Sequence, residues 1–302
     1  MLPFKLIYHR AYDLNLGEHV FPSRKYRMVH DRLLAEGFAN PADFEQPAAA
    51  TDEQVLLVHD AGWVRRLKSG TLSAAELIKL EIPYSRETLQ GFWLATGGTI
   101  AAARNALRDR IGFNIGGGFH HAFPAHGEGF CMINDVAIAI RTLQREGLAA
   151  RAMVVDCDVH HGNGTAAIFA GDSSVLTLSL HHFDNYPSEK PPSVIDIHWR
   201  TGVADTEYLE RLGQACRVAM EGFQPSLVFY LAGADPYEHD RLGGLSLTMN
   251  GLQQRDTLVF QTAKANNIPV AVVLAGGYAR EVEDTVTIHC NTAKAARDAL
   301  SH

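Results

Sequence analysis

Six apolar runs of four to six residues, at 5–8, 111–115, 152–156, 175–180, 227–231 and 270–274, recur along this 302-residue chain. They are close to continuously apolar rather than alternating, so the strands they form must be covered on both faces. Between them lie longer stretches of helical period at 23–36, 88–107, 133–146, 164–169, 206–223, 250–265 and 279–299. Strand and helix in this alternation predict an α/β fold: a doubly wound, mainly parallel sheet with helices on both faces. No linker rich in Pro, Gly or Ser and no internal repeat divides the chain, so residues 1–302 read as a single domain.

In such sheets ligands gather beyond the carboxyl ends of the strands. Five of the six runs end in, or run directly into, a polar cluster: GGGFHH at 116–121, DCDVHHGNG at 156–164, SLHH at 179–182, AGADP at 232–236 and AGGY at 275–278. Seven of the fifteen histidines fall between 120 and 182, where an even spread would put about three. Composition narrows the partners. With 34 acidic against 27 basic residues and a net charge of −7, the chain lacks the cationic surplus that nucleic acid demands. Its four cysteines are widely spaced with no C-x-x-C pair, which speaks against disulfides and thiolate zinc sites and for a reducing compartment. Lys5, His9 and Arg10 near the start do not suit an export signal, and the uncharged stretch 88–103 is short of the ~20 apolar residues of a membrane span. A cytoplasmic protein without a membrane span is expected.

In an extended segment Asp156, Asp158 and His160 would share one face, with Cys157 and Val159 on the other. Asp-x-His at a strand end offers a carboxylate oxygen and an imidazole nitrogen to a metal, although the same pair suits the capping of a helix after Gly164 equally well. Asp235 follows the apolar FYLA and is costly there without a partner; a turn before Pro236 is its simpler use. Two carboxylates and one imidazole from separate strand ends would leave an open position on a tetrahedral ion, as in catalytic zinc sites. GGGFHH lacks the G-x-G-x-x-G spacing of a dinucleotide loop, but His120 and His121 could serve as general base and electrostatic partner. His126, His181, His182 and His198 read as surface residues. Tyr278, after two glycines, could donate to a developing oxyanion or simply pack on a helix start.

Taken in order, HVFPSRKY at 19–26, TGGTIAAA at 96–103, GGGFHHA at 116–122, GEGFCMINDVAIAI at 127–140, VVDCDVHHGNGT at 154–165, TLSLHHF at 177–183, AGADPYEHDRLGGLSLT at 232–248 and LAGGY at 274–278 resemble the arginase–deacetylase superfamily. Within it they are most similar to the zinc-dependent histone deacetylases and their bacterial relatives, and GGTIAAA with the Asn of HHGNG resembles the class IV branch. The resemblance implies the arginase–deacetylase fold and zinc held by Asp158, His160 and Asp235. It implies His120 and His121 as the histidine pair, with His121 the proton shuttle, Asp156 bonded to His120, and Tyr278 polarising the scissile carbonyl. Asn163 stands where family members often place Asp, which would leave His121 less basic. Gly129, Phe130, Tyr186, Gly276 and Gly277 would line the substrate tunnel, and a potassium site would use oxygens of Asp156, Asp158, His160, Ser179 and Leu180. Cys157 replaces the usual aliphatic residue and should point away from the metal. No counterpart appears for the acidic loop residue with which class I members hold the substrate backbone. The implied substrate is an acyl-lysine protein or peptide, or a related acylated amine, carrying an acetyl or longer fatty acyl group. Two other readings share the fold: an arginase-like dimanganese ureohydrolase, which needs additional bridging ligands, and a binding module that keeps the site without turnover.

Overall fold

The computed structural model describes residues 1–301; His302, the last residue of the single-domain reading, lies outside the described residues. The strands are β1 (Leu6–Ile7), β2 (Phe44–Glu45), β3 (Ile111–Asn114), β4 (Ala152–Asp156), β5 (Val175–His182), β6 (Ile195–Trp199), β7 (Leu227–Leu231) and β8 (Val270–Val273). They form one sheet in the order β2-β1-β3-β8-β7-β4-β5-β6, and every pairing is parallel. The helices are α1 (Lys25–Ala35), α2 (Asp52–Val55), α3 (Ala61–Ser69), α4 (Ala74–Leu80), α5 (Arg86–Asp109), α6 (Asp135–Arg145), α7 (Asn163–Ile168), α8 (Asp205–Phe223), α9 (Met249–Ala265) and α10 (Val282–Leu300). None of the described helices is long and apolar enough to cross a membrane.

The six apolar runs all become strands, and β3, β4, β7 and β8 are buried at every position, as strands covered on both faces must be. Two strands escape the periodicity argument. β2 has only two residues, and β6 is an edge strand whose IDIHW sequence is broken by Asp196 and His198. Strand β5 runs two residues beyond the expected 175–180, carrying His181 and His182 inward. These two are therefore buried, contrary to a surface reading, whereas His198 is exposed and His126 half-buried. Helix α10 begins three residues later than 279, because Asp240 bridges Ala279 and Glu281 becomes the N-cap.

Sheet order explains why the polar clusters meet. β3, β8, β7, β4 and β5 are consecutive neighbours, so their carboxyl ends fall within about 20 Å at the ~4.8 Å spacing of strands. In register, Asp156 lies between Leu231 on one side and Ser179 on the other. Helix α5 covers this sheet closely. It starts at Ser85, which accepts from the Thr88 amide, and it buries Phe92, Trp93 and Ile100, each contributing roughly 1.5–3 kcal/mol on removal from water.

Polar ties then fix the loop that follows β3. Asp135, at the start of α6, is fully buried and accepts from the amides of Gly118 and Phe119 and from the Thr99 hydroxyl. On the other side of the sheet Arg255 is wholly buried; it pairs with Asp256 and donates to the carbonyls of Gly233 at 2.6 Å and Cys157 at 3.5 Å. One arginine thus holds the ends of β4 and β7 together.

His59 performs a similar task. Its Nδ1 donates to the Phe123 carbonyl at 3.0 Å and its Nε2 accepts from the Asn134 amide at 2.9 Å, an arrangement only the neutral ring can make. Burial lowers its pKa from 6.5 to about 4 even though its bonds to Phe123 and Pro124 favour the cation. The unfolded chain then binds the extra proton below about pH 6.5. The contribution of His59 to stability is full above that pH and is lost on acidification toward pH 4, by at most about 1.4 kcal/mol per pH unit. Urea unfolding between pH 7 and 4 should show this slope, and His59→Gln should flatten it.

Candidate active site

Strand β4 ends at Asp156, so the extended alternation expected through His160 is absent; the segment turns instead, each carboxylate bonding a later amide. Asp156 Oδ1 accepts from the amide of Asp158 at 3.1 Å, and Asp158 Oδ1 from that of His160 at 2.9 Å. The turn folds Asp158 and His160 toward Asp235 at the end of β7. His160 Nδ1 stands 2.9 Å from Asp158 Oδ1 and 3.4 Å from Asp235 Oδ2. Neither simpler use survives: Gly162 is the N-cap of α7 and offers no side chain, and Asp235 Oδ1 accepts from the distant Val159 amide at 2.8 Å rather than from a local turn. Asp158 Oδ2 accepts from the Gly276 amide at 2.8 Å, while Asp235 Oδ2 is buried without a hydrogen-bond partner.

Two buried carboxylates side by side repel. Burial opposes ionisation of Asp158, yet the charges of His120 and His160 hold its carboxyl well below the usual range. Burial and the Asp158 charge push Asp235 up to about 7. One imidazole nitrogen, two carboxylates and an orphaned carboxylate oxygen fit a divalent cation. Buried Lys25 supplies positive charge nearby, donating from Nζ to the Ala275 carbonyl at 2.7 Å and lying over the rings of Phe21, Tyr26 and Tyr278; burial lowers its pKa to about 8 against the pull of Asp235 and Asp158.

Beside this cluster the two histidines are set apart by their partners. His120 Nδ1 lies 2.7 Å from Asp156 Oδ2, His121 Nδ1 lies 2.8 Å from Asn163 Oδ1, and the two Nε2 atoms are 3.1 Å apart. Burial disfavours the His120 cation, but the charges of Asp156 and Asp158 raise its pKa to about 9. Burial together with the charges of His120 and His160 keeps His121 well below 6.5. One ring is an acid and its neighbour a base at neutral pH. Burial and both carboxylates hold the Tyr278 hydroxyl well above 10, so it remains a proton donor. His121, His160 and Tyr278 all face one cavity of about 380 Å³, whose sides are Gly129, Phe130 and Tyr186.

His121 and His160 link the histidine pair and the carboxylate cluster to this cavity, and the chain as a whole has clear relatives. Residues 19–293 match the histone deacetylase domain. The chain belongs to the histone deacetylase family. It is 32% identical over 298 residues to histone deacetylase 2 of Arabidopsis thaliana, covering 93% of this chain and 77% of that one. It is 30% identical over 288 residues to a probable deacetylase of Methanothermobacter thermautotrophicus, covering 90% and 85% of the two chains. The crystal structure of the HDA15 HD domain superposes with a TM-score of 0.82 over 99% of this chain and 91% of that one, at 23% identity. The sheet is thus that of the arginase–deacetylase fold.

For this histone deacetylase relative the remaining expected residues divide. Phe130 stands in the left-handed region at φ +68°, uncommon for a bulky residue, with its ring 6.0 Å from those of Phe21 and Tyr278. Tyr186 faces it, 4.9 Å from the His121 ring. The two late glycines lie differently: Gly276 lines a small cavity beside Asp158 and Tyr278, whereas Gly277 lines neither that cavity nor the larger one. A Cβ on Gly276 would collide with Asp158 Oδ2 and Asp235 Oδ2, so this position lets the backbone pass close to the carboxylates, whereas one on Gly277 would press on Thr285 and Ala234. Of the potassium set, Ser179 is in register with Asp156, and its hydroxyl bonds His181 Nδ1 at 3.0 Å; Leu180 is buried beside it. Cys157 is fully buried and lines neither this cavity nor the small one beside it.

Three contributors were not foreseen. Glu81 lines the cavity and is an acidic residue of the kind for which the sequence showed no counterpart; it follows α4 in the left-handed region, and burial and Glu128 raise its pKa. Glu128 lies beside Asn163, and Lys25 beneath the ligands. Among the described residues a second group of potential ligands, His161, His181 and Asp196, shares no member with the first, so the bridging carboxylates of a dinuclear centre are not found there. Gly276→Ala should dislodge both carboxylates and lower the divalent metal retained per chain severalfold without unfolding the protein, as read by atomic emission and circular dichroism.

Proposed function

We propose that this chain is a zinc-dependent hydrolase that removes a short acyl group, acetyl above all, from the side-chain amine of an acyl-lysine protein or peptide. The observation that carries this reading is that Asp158, His160 and Asp235 cluster together where His160 shares one cavity with a neutral His121 and a protonated Tyr278. A zinc ion held by those three ligands would supply Lewis-acid polarisation of the amide carbonyl and a lowered pKa for water. His121, uncharged at neutral pH, takes the proton as water attacks. Tyr278 donates to the oxygen on which charge develops. His120, kept as imidazolium by Asp156, is the group able to return a proton to the leaving lysine amine. Phe130 and Tyr186 confine the aliphatic stem of the lysine, and Glu81 at the mouth faces the chain that carries it. Potassium would lie against oxygens of Asp156, Asp158, His160, Ser179 and Leu180, screening two of the carboxylates. All four cysteines are free and buried, which suits a reducing, cytoplasmic setting.

The preference for a short acyl group is supported by a second cavity. It adjoins Asp158, Gly276 and Tyr278, is closed in by Phe21, Tyr26, Phe119 and Cys131, and measures about 30 Å³. That is far below the roughly 300–1,000 Å³ of pockets that take drug-sized ligands, and it favours a small acyl group over a fatty chain. A series of acyl-lysine peptides of graded length, with zinc content measured alongside, tests the proposal. Turnover should be highest for acetyl and fall steeply as carbons are added. Absence of turnover at every length in zinc-loaded protein would sink it, and two metal ions per chain would favour the ureohydrolase reading. Tyr278→Phe should lower kcat by about 10²–10³ while acyl-lysine binding persists by calorimetry; unchanged turnover would remove Tyr278 from the mechanism.

A further inference from the structure

The amide at Asn163 raises a question that a carboxylate there would not. An aspartate accepts from imidazole whichever oxygen faces it, whereas an asparagine can turn either its oxygen or its NH2 toward His121 and so select either tautomer. Two contacts decide the orientation. Asn163 Nδ2 lies 2.6 Å from Glu128 Oε1, and Asn163 Oδ1 accepts from the Gly164 amide at 3.0 Å. A flipped amide would put two oxygens together at the first contact and two donors at the second. With Oδ1 thus fixed 2.8 Å from His121 Nδ1, that nitrogen must carry the hydrogen, and the lone pair of the neutral ring is on Nε2, beside the cavity.

Glu128 is itself built in. Its side chain is 8% exposed, and Oε2 receives Lys79 Nζ at 2.8 Å and His126 Nε2 at 3.0 Å. Oε1 is left for Asn163 and for the Tyr186 hydroxyl at 3.5 Å. We propose that Glu128 is a positioning residue: through Asn163 it sets the tautomer of His121, replacing from one residue further away the carboxylate that relatives place directly on this ring. The inference rests on the hydrolase reading for its consequence in rate, but the tautomer can be read without any reaction.

Long-range 1H–15N spectra of histidine-labelled, zinc-loaded protein should show His121 protonated at Nδ1 and bare at Nε2. In Glu128→Gln, whose amide can face Asn163 in either sense, the two His121 nitrogens should move toward averaged shifts, and kcat on an acetyl-lysine peptide should fall about tenfold, the scale typical of outer partners, with KM unchanged. Asn163→Asp alone should lose activity, because it sets two carboxylates 2.6 Å apart, one of which must hold a proton. Asn163→Asp combined with Glu128→Gln should recover to within about threefold of the natural protein, a coupling that two independent structural defects would not produce. An unchanged His121 spectrum in Glu128→Gln, or a double variant no better than Asn163→Asp, overturns the proposal. A correct tautomer in a protein that hydrolyses no acyl-lysine overturns the hydrolase reading and leaves this one standing.

Discussion

Two carboxylates, Asp158 and Asp235, are buried side by side, and most of what surrounds them answers that repulsion. An unpaired buried charge costs several kcal/mol, so each is met by backbone amides, Asp235 by Val159 and Asp158 by Gly276. His160 lies between them, and Lys25 contributes a cation from another helix. Backbone can come so close only where there is no side chain, which is why position 276 is glycine. Arg255 acts from behind, gripping the carbonyls of Gly233 and Cys157 so that the two strand ends cannot drift apart. A divalent cation bound by Asp158, His160 and Asp235 would complete this compensation.

The histidine pair applies the same electrostatics to a different end. Rings whose Nε2 atoms are 3.1 Å apart do not both hold a second proton at rest, so in the resting site the one with the stronger partner takes it, and a proton gained by His121 drives one off the pair. Asp156 is charged and Asn163 is not, and the charge falls to His120. Division of labour between acid and base therefore follows from a difference of one functional group, carboxylate against amide, in the two outer partners.

Much of this was legible in the sequence because it rests on strand ends. The apolar runs located the central strands, and the polar residues after them located the Asp158, His160 and Asp235 cluster, the histidine pair and Tyr278. The misreadings came from contacts between segments far apart in the chain. Gly277 suggests a tunnel because glycine reports only that something is close, not that it is Thr285 and Ala234. His181 passed for a surface residue because nothing local shows that β5 continues two residues further under cover of neighbouring segments. Glu81, Glu128 and Lys25 are single charged residues in unremarkable helices and turns; only their neighbours in space, Phe130, Asn163 and Ala275, give them meaning. The short helices α2, α3 and α4 have too few turns for periodicity to register.

The place of β8 in the sheet has a consequence for how the molecule is made. Strands β2, β1 and β3 form one edge group and β7, β4, β5 and β6 another, and β8 is the only strand that joins them. It spans residues 270–273, after every other strand in chain order, so during synthesis the centre of the sheet arrives after both of its flanks. Until then two half-sheets wait with bare inner edges, the kind of surface that recruits other chains. The same closing strand delivers Gly276 and Tyr278. Completion of the sheet and assembly of the carboxylate and histidine cluster are therefore one event, and a chain that stops before β8 has neither.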